Sequence, residues 1–242
     1  EVRFYLKNYF PIGSINKYFL SESDKCKGLA SSMNYLILNN FSRYKYFARQ
    51  DSDDYSKENR LISQIKYLKN NQEVDVIGTG IFSFDYNTKK VFSKSIYPLE
   101  HKKIFTTFAY STPIAHATVV FKNTFFLKAG LYQPNHKTLA EDNRLWSAAF
   151  YTKCKFANLK EPLYFVSIDN NSYKRRSNIK QIFLLCKLRI RHVISQRLNP
   201  YILFKTFLEF ISRIIISVLI LLNLKIIYIF LLNIYQKLRS KN

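Results

Sequence analysis

The chain has 242 residues, long enough to bury a substantial hydrophobic core, and it carries 38 Lys and Arg against 16 Asp and Glu, a formal net charge of +22. With 18 Tyr and 21 Phe but only 5 Gly and 6 Pro, the composition excludes disorder and collagen-like repeats. The three cysteines, Cys26, Cys154 and Cys186, are odd in number and far apart, which argues against a disulfide framework or a zinc site and for buried thiols in a reducing compartment.

The chain opens on Glu1, and no secretory leader pattern follows. "KGLASSMNYLILNN" (27–40) sets Leu29, Met33, Leu36 and Leu38 at helical spacing behind Gly28. "YKYFARQ" (44–50) reads as a strand that ends at Asp51. Ser56 is expected to cap a second helix, "KENRLISQIKYLKNN", with Leu61, Ile65 and Leu68 as its apolar face. "VDVIGTGIFSF" (74–84) is a further strand. Strand, acidic turn, helix, strand is an α/β pattern, in which ligands bind outside the carboxyl ends of the strands.

"HATVVFK" (116–122) predicts another strand, and "NTFFLKAGLY" a short helix closed by Gly130. "LAEDNRLWSAAFYTK" predicts a helix with Glu141 and Asp142 in its first turn, where carboxylates also complement the helix dipole. Leu145, Trp146 and Phe150 are expected in the core. "CKFANL" and "EPLYFVSI" read as two short strands, and the chain from about Asn178 as long, basic and apolar helix.

Residues 174–242 hold 14 Lys and Arg against the single acid Glu209, and they include the apolar run "IIISVLILLNLKIIYIFLLNIY" (214–235). About 20 apolar residues would cross a bilayer, but Lys225 in mid-segment would cost about 2.5–3.5 kcal/mol. Helices lying in the interface, with Arg191, Arg197, Arg213, Lys237 and Arg239 toward anionic headgroups, fit at least as well and are the favoured reading, with one membrane-crossing segment left open beside it. The alternative is a helical hairpin packed on the domain.

Within this basic chain, "FARQDSDDYS" (47–56) crowds Asp51, Asp53 and Asp54 into four positions. Two like charges ~4 Å apart repel by about 1 kcal/mol in water and about 4 kcal/mol at a protein-like dielectric, so the cluster calls for a cationic partner. A calcium loop of the EF-hand kind would need a glycine sixth and an acid twelfth, where Ser56 and Ile62 stand. An aspartyl-nucleophile phosphatase would need Thr or Val where Tyr55 stands, after an apolar strand rather than Arg49 and Gln50. A DxD site, where a divalent cation bridges a nucleotide diphosphate, has neither defect.

"GLASSMN", "ARQDSDDYSKENRLISQIKYLKNNQEVDVIGTG", "HATVVFK…FFLKAGLY" and "AEDNRLW" follow one another in an order and spacing that closely resemble the family 2 glycosyltransferases. The family pattern runs G-L-A-x-x-x-N, R-x-D-x-D-D, R-L-x-x-Q-x-x-x-L, V-x-x-x-G, H-x-T-x-x-F-[RK], G-x-Y and E-D-x-x-L-W, and the match covers about residues 25–170. The resemblance implies the GT-A α/β fold, a Rossmann-like mixed sheet flanked by helices, in a domain over 1–175 followed by the basic helical segment 176–242. It implies inverting transfer from a nucleotide diphosphate sugar, foremost a UDP-sugar, to a glycan or lipid-linked acceptor.

Carried over residue by residue, Asp53 is the ligand for Mn²⁺ or Mg²⁺, with Asp51 toward the ribose or the metal and Asp54 behind them. Asp142 is the general base, Glu141 orients the acceptor, and Lys27 and Asn34 approach the donor nucleotide. His116 borders the acceptor pocket or is a satisfied strand histidine. Two departures stand out. The family's first strand and D-G-S turn have no counterpart in residues 1–26, so about fifty residues of nucleotide pocket are expected to be missing. "FVSIDNNS" holds Ser167 and Asp169 where many members carry R-x-H, with Arg175 and Arg176 nearby. The expected setting is the cytoplasmic face of the cell membrane, in surface polysaccharide assembly. A nucleic-acid partner is not expected, because the basic excess sits beside the apolar tail and no DNA- or RNA-reading motif occurs. A paralogue that binds without catalysis is the other rival.

Overall fold

The computed structural model describes residues 28–134, 140–169 and 178–221. Its centre is a six-stranded mixed sheet in the order β1-β5-β3-β6-β2, with β4 also on β3. The strands are β1 (Tyr46–Ala48), β2 (Tyr55–Ser56), β3 (Val76–Asp85), β4 (Val91–Ser95), β5 (Val120–Lys122) and β6 (Phe156–Ile168). β3 and β6 run parallel over their whole length, as their near-continuous apolar sequences require of strands covered on both faces. The opposite edge of β3 pairs antiparallel first with β5 and then with β4.

The helices of the sheet layer are α1 (Leu29–Asn40), α2 (Arg60–Asn70), α3 (His101–Phe108), α4 (Asn123–Ala129) and α5 (Glu141–Tyr151). Their packing buries a single aromatic cluster. Trp146, Phe125, Phe156 and Phe108 are fully buried, with Phe121 and Phe150 against them at ring separations of 4.5–6.4 Å. Leu145, Trp146 and Phe150 lie in this core as the sequence suggests. Gly130, at φ 78, closes α4 in a backbone region that favours glycine.

Several expectations are corrected. Ser56 does not cap α2: it lies in β2, and Asn59 occupies the cap position. Residues 116–122 are not one strand, because His116–Thr118 forms a 3₁₀ turn and only Val120–Lys122 pairs. The two expected strands 154–159 and 161–168 are one, β6, broken in sequence by a bulge. Thr79 faces Leu159 while Gly80 faces Pro162, so Lys160 and Glu161 loop out. The Thr79 hydroxyl mends the gap, donating to the Glu161 carbonyl (2.6 Å) and accepting from Leu163 N–H (3.0 Å). A proline is tolerated inside the strand only because it stands at this bulge.

The last described elements are α6 (Ile179–Ser195), capped by the Asn178 side chain, and α7 (Pro200–Leu221). They pack on each other, with Phe183 against Phe210 at 5.2 Å. They also grip the end of α3. Arg189 donates to the Tyr110 carbonyl (3.2 Å), His192 Nε2 to Phe105 (3.0 Å) and Thr206 to Ala109 (2.9 Å). A helix leaves its last carbonyls unsatisfied, and here neighbouring helices satisfy them. Among the described residues no helix is long and apolar enough to cross a membrane, and residues 222–235 of the apolar run lie outside the described residues.

Candidate active site

Asp51 follows β1 by three residues, so the acidic loop leaves the sheet at a strand's carboxyl end. The loop is held from below by α2. Arg60, only 3% exposed, donates to the carbonyls of Arg49 (3.1 and 3.2 Å) and Thr118 (3.2 Å) and to Gln50 Oε1 (3.3 Å). One turn later Gln64 donates to the carbonyls of Ile77 (3.0 Å) and Thr118 (2.9 Å). Gln50 in turn donates to the Asp51 (3.1 Å) and Asp54 (2.9 Å) carbonyls and accepts from Ser56 Oγ (2.7 Å). The R-L-x-x-Q spacing is therefore a brace: i and i+4 bring both polar heads to one face, under the loop.

From the sheet side Tyr164 of β6 completes the frame. Its hydroxyl accepts from Asp51 N–H (3.0 Å) and bonds the Asp54 carboxylate, while the Arg60 guanidinium lies 5.1 Å from its ring centre. Asp54 is half-buried, and its Oδ1 accepts from Ser167 N–H (2.7 Å). Burial lifts its carboxyl to about 6, and the charges of Asp53 and Asp51 push the same way. Ser167, where the resembled family carries its R-x-H element, thus meets the acidic cluster through its backbone.

The three acids differ in what they are free to do. Asp54 turns inward. Asp51 is ion-paired with Arg49. Asp53 is exposed and forms no side-chain hydrogen bond or ion pair with another described residue.

Glu141 and Asp142 open α5, preceded by Ala140 in the left-handed region (φ 57, ψ 41). A non-glycine residue there costs about 1–2 kcal/mol, strain of the kind that clusters at functional sites. Asp142 Oδ1 accepts from the backbone and side-chain nitrogens of Asn143 (2.7 and 2.8 Å), and its Oδ2 has no hydrogen bond to another described residue. Burial raises the Glu141 carboxyl, and the neighbouring Asp142 and, more weakly, Asp51 add to the effect.

Arg49 is the common neighbour. Its side chain is largely buried, pairs with Asp51, and its positive charge is felt by Glu141, His116 and Tyr132. His116 is kept neutral by burial, its pKa pushed down to about 4, and it shares a 2.7 Å hydrogen bond with the Tyr132 hydroxyl. Asn34 spends both ends of its amide on Tyr132, donating to its carbonyl (2.7 Å) and accepting from its N–H (3.0 Å). Asp51, Glu141, Asp142 and His116 therefore share one electrostatic site, and Asn34 supports its wall. Lys27 lies outside the described residues.

Sequence reasoning missed Tyr164 and the bracing roles of Arg60 and Gln64. The last two were legible as buried polar residues on one helix face, whereas a tyrosine in an aromatic strand carries no such signal. Among the described residues no three His, Cys, Asp or Glu side chains converge into a metal cage.

The class is an α/β domain with an acidic loop at the carboxyl end of one strand and a second pair of acids opening a helix. No protein-family model matches the chain. It is similar to bacterial proteins named as glycosyltransferases. EpsE of Bacillus subtilis, named for glycosyl transfer, is 32% identical over 62% of this chain and 52% of its own length. The amylovoran biosynthesis glycosyltransferase AmsE of Erwinia amylovora is 30% identical over 53% of this chain and 47% of its own. The O-antigen biosynthesis glycosyltransferase WbnJ of Escherichia coli is 29% identical over 72% and 66%. The chain thus spans about half to two thirds of these relatives. The crystal structure of S. aureus TarS with UDP-GlcNAc aligns over 70% of this chain and 54% of that one, at 13% identity and a TM-score of 0.46.

Proposed function

We propose that the chain is an inverting glycosyltransferase domain that moves a sugar from a nucleotide diphosphate sugar, first among them a UDP-sugar, to a glycan or lipid-linked acceptor. The setting would be surface polysaccharide assembly at the cytoplasmic face of the cell membrane. The observation that carries this reading is the meeting of two carboxylate clusters, 51–54 and 141–142, around Arg49.

Asp53, with Asp51 beside it, would hold Mn²⁺ or Mg²⁺. Exposed carboxylate oxygens are the right donors for a hard cation, and a cation that meets only one or two carboxylates takes its other ligands from phosphate and water. When bound, that ion supplies Lewis-acid stabilisation of the leaving diphosphate. Asp51 is assigned to the ribose hydroxyls, its direction fixed by Arg49 and by Tyr164 on its backbone. Asp142 is assigned the proton of the acceptor hydroxyl, which it takes at Oδ2, unbonded among the described residues, as the hydroxyl oxygen bonds to the anomeric carbon and the bond to the diphosphate breaks. One base and no covalent intermediate imply inversion. Glu141, whose carboxyl burial raises above the ordinary carboxylate range, is assigned to orient the acceptor. Arg49 lowers the repulsion between the clusters and so lets both act in one site.

The test is a panel of nucleotide sugars assayed for release of nucleoside diphosphate with and without Mn²⁺ or Mg²⁺. Release that needs the metal and disappears in Asp53→Ala is expected. Asp142→Asn is expected to slow transfer about 10²–10⁴-fold while donor binding persists. Metal-independent release, or full transfer by Asp142→Asn, would overturn the assignment.

A further inference from the structure

Helix α7 is amphipathic in reverse. Toward the protein it turns Thr206 and Ser217, both buried, and the ion pair of Glu209 with Arg213 (3.1 Å). Away from it, Tyr201, Phe204, Leu208, Ile211, Ile215 and Val218 recur at alternating intervals of three and four, and each is 38–61% exposed. Phe207, also exposed, widens the stripe, and no charged residue lies within it. A continuous exposed apolar surface of this kind marks an interaction site.

Beside the stripe a groove of about 610 Å³ between α6 and α7 is lined by Phe183, Ile190, Ile194 and Phe210 and edged by Lys187 and Arg191. Lys180, Lys187, Arg191 and Arg197 are all exposed, and none is ion-paired with another described residue. Between residues 178 and 221 the only acid is Glu209, already taken by Arg213.

Charge selects the occupant. Two copies meeting through this face would press their cations together with no acid to answer them, whereas anionic lipid supplies the counter-charge. We infer that the outer face of the α6–α7 pair lies flat on an anionic lipid surface, the α7 stripe at the acyl boundary and the four cations among the headgroups. The inference rests on the membrane setting proposed above for its purpose, but its test needs no turnover.

The whole chain is sedimented with vesicles of phosphatidylcholine alone and of phosphatidylcholine mixed with phosphatidylglycerol. Binding is expected to the mixed vesicles and to weaken with salt. Phe204→Ser combined with Phe207→Ser and Ile211→Ser, all surface positions, should weaken it by more than about tenfold, since three large apolar side chains leave the lipid. Lys187→Gln with Arg191→Gln should cost about fivefold per cation on mixed vesicles only. The triple variant should release nucleoside diphosphate in detergent solution as the wild type does. Loss of that release in both proteins would count against the glycosyltransferase reading and leave the lipid result standing. Equal vesicle binding by wild type and triple variant would overturn the inference. So would a dimer in lipid-free sedimentation that the triple variant dissolves, because it would give the face to a second copy.

Discussion

Asp54 is the residue whose surroundings disagree most with its charge. Burial lifts its carboxyl from 3.8 to about 6, so the folded protein holds a proton that the unfolded chain has released between those values. The stability this group contributes is full below about pH 4 and is lost as the pH rises through about 6. Asp54→Asn resembles the protonated acid and can still accept from Ser167 N–H. Its stability relative to wild type should therefore grow from pH 4 to pH 7, read by urea denaturation at both values without divalent metal. A constant difference would show that Asp54 titrates normally. Around it, the Glu141–Asp142 pair and the acidic loop were legible as residues, because two acids at a helix start and three at a strand end are unusual in so basic a chain. Their shared electrostatic link to Arg49 was not, since no local pattern reports a charge interaction across nearly a hundred positions.

At the scale of elements, the sequence is most informative about existence and least about facing. α2 is helical as its periodicity predicts, but the buried positions are Arg60, Gln64 and Leu68, while Leu61 and Ile62 are exposed. The inner face was misread because two of its three residues are polar and earn burial by hydrogen bonds, Arg60 to Arg49, Gln50 and Thr118 and Gln64 to Ile77 and Thr118. α1 shows the same shift: Ala30 and Ile37 are buried, and Leu29, Leu36 and Leu38 are exposed. β6 was divided in two because its bulge holds Lys160, Glu161 and Pro162, which in sequence are indistinguishable from a turn.

The β3–β6 ladder also makes a sharp demand. A Cβ on Gly78 would collide with Asn158 Oδ1 and lie 2.6 Å from Ile114 Cγ1. Asn158 cannot yield cheaply, because its amide donates to the carbonyls of Pro98 (2.7 Å) and Pro113 (3.0 Å). Gly78→Ala is expected to cost about 1–3 kcal/mol and lower the melting temperature by several degrees. An unchanged melting curve would mean that this ladder is loosely packed.

For the whole molecule, the sequence announced a basic and apolar C-terminal region but could not say how it relates to the domain. Three hydrogen bonds to the end of α3 answer that for residues 178–221. The polar residues that look misplaced in an apolar helix, Thr206 and Ser217, are the ones turned inward, so a hydropathy average sees a greasy segment where the fold has a directional one.

His192 lies where these scales meet. Its ring stacks edge-on against Phe105 (4.6 Å) and Phe108 (5.1 Å) and lies 5.5 Å from Phe150, on the helix that begins with Glu141 and Asp142. Apolar rings in a close-packed interior transmit displacement rather than absorb it. The C-terminal pair and the helix that begins with Glu141 and Asp142 are therefore geared together through one imidazole. Anything that pinned the outer face of that pair would also fix the orientation of the helix bearing the two acids, much as a vice fixes the workpiece for the tool.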